Sequence, residues 1–451
     1  MPLAITEYLG GVRRARGWEP LARSEQASAP AATGERGGLR AGLSRNVLVL
    51  GVASLFTDIG TEMIAPIRIL FLVLILGAPI PIAGLIEGIA ESSAALLKVW
   101  SGRLADRLER RRPLIVAGYG LSGAAKPLLA LVTSWPQVLA LVVLDRLGKG
   151  IRGSPRDALL ADSTPAAYRG KAFGFHRALD TLGGAIGPLL ALYILVLHGQ
   201  EPRGPTLVDA AVFRQIFAVT AIPGALAVLV LLAFLRERRR QRAEHAAPVA
   251  PGVPVAAVPL AALGRPFWLF TGIATLFALG NPSDAFFFLR AISLESWLEG
   301  LPLVYFGYNM VYAALATPFG MVSDRIGRLP LLLAAYLAFA LVYLGWSLAG
   351  SGWQIYPLFL LYGIYAAAGE GVARALVVDL APGERRGQAL GWFNGLTGLA
   401  TLPANLLAGW IWSLYGPGST FLLSAVVASV AACLLLANAR RIAPARVRAQ
   451  A

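Results

Sequence analysis

"ADSTPAAYRGKAFG" (161–174) and "VDLAPGERRGQALG" (378–391) are two copies of one pattern. Asp162, Pro165, Arg169, Gly170, Ala172 and Gly174 answer Asp379, Pro382, Arg386, Gly387, Ala389 and Gly391, each 217 residues later. Six identities at one offset mark a duplicated unit. A second pair agrees: "GRLADRLERRRPL" (102–114) is matched by "GMVSDRIGRLPL" (320–331). Every copy lies between apolar runs, so those runs decide what was duplicated.

The runs are long. "PLLLAAYLAFALVYLGWSLAG" (330–350) and "AVFRQIFAVTAIPGALAVLVLLAFL" (211–235) each exceed the ~20 residues a helix needs to cross hydrocarbon. Mean hydropathy is +0.64. Charged residues make up 14% of the 451 positions, against about 25% in soluble domains. Twelve spans are predicted: 46–76, 80–101, 113–133, 137–163, 171–198, 212–235, 266–291, 300–321, 330–350, 354–380, 387–414 and 417–438. The first contains Pro66 and is expected to bend. The fold class is therefore an all-α integral membrane protein, with twelve transmembrane helices in two pseudo-symmetric six-helix bundles.

The net charge of +15 sits in short loops, not in a soluble module, which excludes a nucleic-acid reading. "RERRRQR" (236–242), "DRIGR" (324–328) and "RRIAPARVR" (440–448) are typical of one set of loops. The opposite turns, near 77–79, 134–136, 351–353 and 415–418, hold no Lys or Arg. The positive-inside rule puts both termini on the cytoplasmic side of the cell membrane. The expected organisation is a disordered tail (1–44), an N-terminal bundle (45–235), a cytoplasmic linker (236–264), a C-terminal bundle (265–438) and a second tail (439–451). One cysteine, Cys433, allows no internal disulfide, and three histidines beside it give no basis for a metal site. No phosphate-cradling G-x-x-x-x-G-K-[ST] loop occurs, so no nucleotide or other cofactor is implied.

Gly102, Leu104, Ala105, Asp106, Arg107, Arg110 and Arg111 resemble the loop signature of the major facilitator superfamily. Glu109 stands where that signature has Gly, and the second copy keeps the residue as Gly327. Arg146 and Gly150 resemble the family's R-x-x-x-G motif. Gly183, Gly187 and Pro188 resemble the G-x-x-x-G-P helix-packing motif of its proton-antiporting efflux branch. The string from Gly148 to Gly183 is similar to a bacterial subgroup of permeases. The resemblance covers about 45–438 and implies a monomeric transporter working by alternating access. It also implies a cytoplasmic gate, in which Asp106 and Arg110 pair with Asp162, while Asp324 and Arg328, beside Arg325, pair with Asp379.

The remaining charges lie in the spans, where each costs about 2.5–3.5 kcal/mol at the bilayer centre unless paired or wetted. In "DRLGKGIRGSPRDALLAD" (145–162), Asp145, Lys149, Arg152 and Arg156 form one helical stripe. The positions that match Lys149, Arg152 and Arg156 in the second half, Ala366, Gly369 and Ala373, carry no charge, so coupling chemistry is expected in the first half. Asp58, Glu62, Glu91, Arg146 and Asp180 are candidates for proton coupling. For Asp58 and Glu62 the alternative is permanent pairing with Arg146 or Lys149. Glu87, Glu91 and Lys98 share a face and are alternatively helix-to-helix ion pairs. Candidates for substrate binding are Lys149, Arg152, His176, Arg177, Asn281 and Asp284. The last two belong to "GNPSDAFFF" (280–288), where Gly280 and Pro282 should break the seventh span. Arg68 and Arg290 could clamp an anion, snorkel or gate the outer end.

The expected function is secondary active transport of a small organic solute, with protons as coupling ion and efflux as direction. An organic-anion exchanger or symporter, and a non-transporting receptor or scaffold, are the alternatives. No nucleophile-and-base pair points to an enzyme.

Overall fold

Lipid offers backbone amides no partners, so each apolar run must satisfy its own, and helices result. The computed structural model describes residues 43–107, 111–165, 168–198, 209–237, 263–294, 300–381 and 385–443, and no strand occurs among them. The first half comprises α1 (Arg45–Leu70), α2 (Ile80–Arg107), α3 (Arg112–Leu128), α4 (Trp135–Asp162) and α5 (Arg169–Leu197). A sixth span follows, divided at Thr220 into α6 (Ala210–Val219) and α7 (Ala221–Phe234). The second half opens with a broken seventh span, α8 (Arg265–Leu279) and α9 (Ala285–Ser293). Next come α10 (Gly300–Ile326), α11 (Arg328–Leu348), α12 (Ile355–Leu380), α13 (Arg386–Tyr415), α14 (Pro417–Ala437) and the short α15 (Ala439–Ile442).

The duplicated pattern is a duplicated structure: α5 starts at Arg169 and α13 at Arg386, keeping the offset of the sequence. Helix α1 runs through Pro66 and continues as a π-helical segment, Phe71–Ile75. Helix α2 reaches Arg107, past the expected end at 101. Gly327, the glycine of the second loop copy, has φ +96° and ψ 158° and caps α11, a conformation reserved for glycine.

Glycines set how closely the helices cross. A Cβ at Gly187 would fall 2.7 Å from the Ile59 carbonyl oxygen and 2.9 Å from Glu62 Cβ. A Cβ at Gly183 would strike the Leu55 carbonyl oxygen and sit 3.2 Å from Asp58 Cβ. The G-x-x-x-G-P stretch thus seats α1, with Asp58 and Glu62, directly on α5. The second half has an aromatic centre instead. Phe287 stacks on Phe421 at 5.7 Å and packs against Trp346, Tyr343, Phe359 and Tyr362.

The two halves touch along α2 and α13, α5 and α10, and α1 and α9. The α2–α13 contact is nearly backbone on backbone. A Cβ at Gly409 would lie 2.7 Å from Pro81 Cα, and one at Gly88 would lie 3.0 Å from Leu402 Cα. Pro81 and Gly409 lie close to the turns near 76–79 and 416, so the halves close at the face opposite the Arg-rich loops.

Candidate functional site

The break in the seventh span is what its sequence calls for. Gly280 to Asp284 separate α8 from α9, since Pro282 has no N–H to donate and its ring clashes with a continuing helix. The freed groups find partners across the bundle. Ser283 N donates to Asn405 Oδ1 at 2.8 Å. The Tyr362 hydroxyl donates to Asp284 Oδ1 at 2.8 Å, and the Tyr343 hydroxyl to Asn281 Oδ1 at 3.3 Å.

This break forms one wall of a central cavity of about 380 Å³ between the halves. The first half contributes Glu62, Arg68, Glu87, Glu91, Arg146 and Lys149; the second contributes Asn281, Asp284, Tyr305, Tyr308, Tyr362 and Glu370. A larger vestibule of about 940 Å³ shares Glu91, Asn281, Glu370 and Thr401 with it and extends to Arg328 and Asp379 at the Arg-rich face. The cavity is therefore approached from that face and shut at the other by the α2–α13 contact.

On the first-half wall Asp145 is the hub. It accepts from the Ser122 hydroxyl at 2.6 Å and has Lys126 at 3.3 Å, Arg146 at 3.4 Å and Lys149 at 3.8 Å. Three cations crowd this one carboxylate. Glu62 accepts the Tyr305 hydroxyl from the other half at 2.9 Å. Among the described residues, no Lys, Arg or His nitrogen comes within 4.0 Å of Asp58, Glu62 or Glu91. The expected alternative of fixed pairing with Arg146 or Lys149 is thus not what is found, because Asp145 holds those cations. Glu91 has Asn405 Nδ2 at 3.5 Å.

Of the substrate-binding candidates, Lys149, Asn281 and Asp284 line the central cavity, whereas Arg152, His176 and Arg177 do not. Arg152 turns toward α3 and lies 4.0 Å from the Tyr119 ring centroid, buried. His176 is buried with Nδ1 3.7 Å from Asp180, and Arg177 is 71% exposed, with Asp180 at 3.8 Å. Asp58 lies one turn from Glu62 toward the Arg-rich face, also outside the central lining. Arg68 does not snorkel and is engaged within the protein: its Nε and Nη2 donate to the Glu87 carboxylate at 3.0 and 2.5 Å, with Glu87 3% exposed. Arg290 is likewise turned inward, donating to the carbonyls of Trp346 and Ala349, the free acceptors at the end of α11.

At the Arg-rich face Arg328 bridges Asp379 at 3.2 Å and Asp324 at 2.5 Å, while Arg325 is exposed. In the first copy Asp162 is paired with Arg111 at 2.6 Å. Arg110 lies outside the described residues, and so do the side chains of Asp106 and Arg107, which follow Gly102 on the last turns of α2. Each of these pairs joins helices of a single half.

Sequence reasoning missed the tyrosines 305, 308, 312 and 362, Glu370, Asn405 and Lys126. Glu370 and Lys126 were visible as charges inside apolar spans. The tyrosines and Asn405 carry no signal apart from the company they keep in space.

The matches to known proteins agree with this arrangement. The family model described as Major Facilitator Superfamily matches two stretches, 50–296 and 296–450. An uncharacterized MFS-type transporter of Methanocaldococcus jannaschii is 36% identical over 400 residues, 87% of this chain and 95% of that protein. The class B tetracycline resistance protein of Escherichia coli is 29% identical over 120 residues, 27% of this chain and 29% of that one. The nucleoside transporter NupG superposes with a TM-score of 0.70 at 13% identity, covering 87% of this chain and 98% of its own. Duplicated bundles, a charged chamber between them and a match that runs nearly end to end make this chain a member of the Major Facilitator Superfamily of multi-pass membrane transporters.

Proposed function

We propose that this transporter exports a small organic solute from the cell in exchange for protons. The observation that carries the reading is the set of ionisable carboxyls, Glu62 and Glu91, lining the cavity without a cation at ion-pair distance among the described residues. A carboxyl in such a place must be met by a proton or a ligand as the chamber alternates. Asp58 and Asp180 would pass the proton on, with Lys149 and Arg146 as the cations along the path, because Asp58 senses the charges of Asp180 and Lys149. The partial similarity to a resistance protein supports export. In this reading the Arg-rich face is cytoplasmic with both termini, and the chamber is open inward. The residue pairs at that face, Arg111 with Asp162 and Arg328 with Asp379, brace the loops that would close it.

An organic-anion exchanger would need Arg146 and Lys149 free for substrate, and Asp145 lies against both. The decisive experiment is transport into everted vesicles under an imposed pH gradient. Acidifying the interior should drive accumulation in the wild type. Glu62→Gln and Glu91→Gln should abolish gradient-driven accumulation yet keep solute exchange at equal pH. Gradient-insensitive flux in the wild type, or gradient-driven flux in Glu62→Gln, refutes the coupling.

A further inference from the structure

The second-half wall of the central cavity differs in kind from the first. Among its described residues it presents no cation. It presents carboxylates that accept tyrosine hydroxyls. Asp284 takes that of Tyr362 at 2.8 Å, and Glu370 takes that of Tyr312 at 3.5 Å. Glu62, reaching across, takes that of Tyr305 at 2.9 Å. Carboxylates are the charges that act with Asp284: Glu370, Glu62 and Glu91. Between these acids runs a ladder of rings. Phe288 meets Tyr305 edge-on at 5.5 Å; Tyr305 stacks on Tyr308 at 5.7 Å, and Tyr308 on Tyr362 at 5.4 Å.

The cations of the cavity lie on the other wall, and none is among the charges acting on Asp284. Arg68 is held by Glu87, and Arg146 and Lys149 lie against Asp145. Counting lining residues alone, Glu62, Glu87, Glu91, Asp284 and Glu370 oppose Arg68, Arg146 and Lys149, a formal excess of two negative charges. A neutral or anionic solute would leave those carboxylates facing it at a desolvation cost. A cation with an apolar body satisfies both features, since ring faces attract positive charge and the carboxylates pair with it.

We propose that the central cavity is a binding site for organic cations, with the ammonium or guanidinium group at Asp284 and Glu62 and the apolar body along Tyr305, Tyr308 and Tyr362. This rests on the reading of the cavity as the transport site. It accounts for antiport directly, because cation and proton compete for the same carboxyls.

The test uses one apolar body with three head groups: phenylbutylammonium, phenylbutanol and phenylbutyrate. Each is titrated onto the purified full chain in lipid nanodiscs at neutral pH, without a gradient and against empty nanodiscs. The ammonium should bind at least about tenfold more tightly than the alcohol, with the carboxylate weakest. Asp284→Asn should weaken the ammonium at least about tenfold and leave the alcohol unchanged. Tyr308→Leu should weaken the ammonium, and Tyr308→Phe, which keeps the ring face, should not. The two Tyr308 variants and the wild-type order decide the matter even if Asp284→Asn does not fold. A carboxylate that binds best, equal binding of all three, or binding of none overturns the proposal. A pH gradient that drives no flux would sink proton coupling and leave this head-group order standing. A reversed order would sink the cation site and leave gradient-driven flux untouched.

Discussion

Replacing Gly409 by Ala adds a single methyl group at a tight crossing of the two halves, close to the turn face. Its Cβ would stand 2.7 Å from Pro81 Cα, 2.8 Å from the Ile80 carbonyl oxygen and 3.1 Å from the Ile80 carbonyl carbon. All three are backbone atoms, so no rotamer change relieves the overlap. Overpacking of this sort costs about 1–3 kcal/mol. The cost falls on the state closed at this face and disappears when α2 and α13 part. Gly409→Ala should therefore shift the balance between the two states by about 5- to 150-fold toward opening at the turn face. The assay needs one reporter. Cys433, the sole cysteine, is exchanged for Ser, and Ala65, which lines the central cavity, becomes Cys. A membrane-impermeant maleimide is then applied from each side. Labelling from the turn face should accelerate and labelling from the Arg-rich face should slow. Unchanged rates from both sides, in a protein that remains monodisperse, would refute the claim that this crossing closes the chamber.

Three further outcomes follow from particular contacts. Arg68→Ala strands Glu87, 3% exposed, without its partner, and should destabilise the protein by about 3–5 kcal/mol in thermal unfolding, with Arg68→Leu/Glu87→Leu recovering much of the loss. Gly327→Ala forces a side chain into φ +96°, ψ 158° and should cost about 1–3 kcal/mol, read as a lower unfolding midpoint. Asn405→Leu removes the buried amide that holds Ser283 N and the Thr401 carbonyl at 2.8 Å and faces Glu91. It should lower stability by about 1–3 kcal/mol and lower transport beyond that, so wild-type transport in this variant would show that the break does not depend on Asn405.

The spans, the duplication and the break at Gly280 to Asp284 were all legible in one dimension. Hydropathy, a fixed offset and a Pro beside a Gly act through neighbouring residues, and lipid removes the competing folds. That α5 offers a close-packing face was legible for the same reason, since a glycine spacing of four is a local property of one helix face, but its partner α1 was not. The charges of the fourth span were visible too, but not their partners. Asp145 is compensated by Lys126 and Ser122 of α3, a contact fixed only when the helices pack. Arg290 looked like a membrane-edge cation and proved to be a cap on α11, because the nearest unsatisfied carbonyls lie on another span.

The sequence by itself determined a twice-repeated helical transporter with ionisable groups at depth and an interrupted seventh span. Only the tertiary structure decided what those groups face. Glu62 meets Tyr305 across 243 residues, Asp284 meets Tyr362 across 78, and Asn405 meets Glu91 across 314. Such pairs leave no periodic trace, since a tyrosine in an apolar span reads as one more hydrophobic residue until its hydroxyl finds an acceptor. The character of the chamber, mixed in charge on one wall and aromatic and acidic on the other, arises from helix packing.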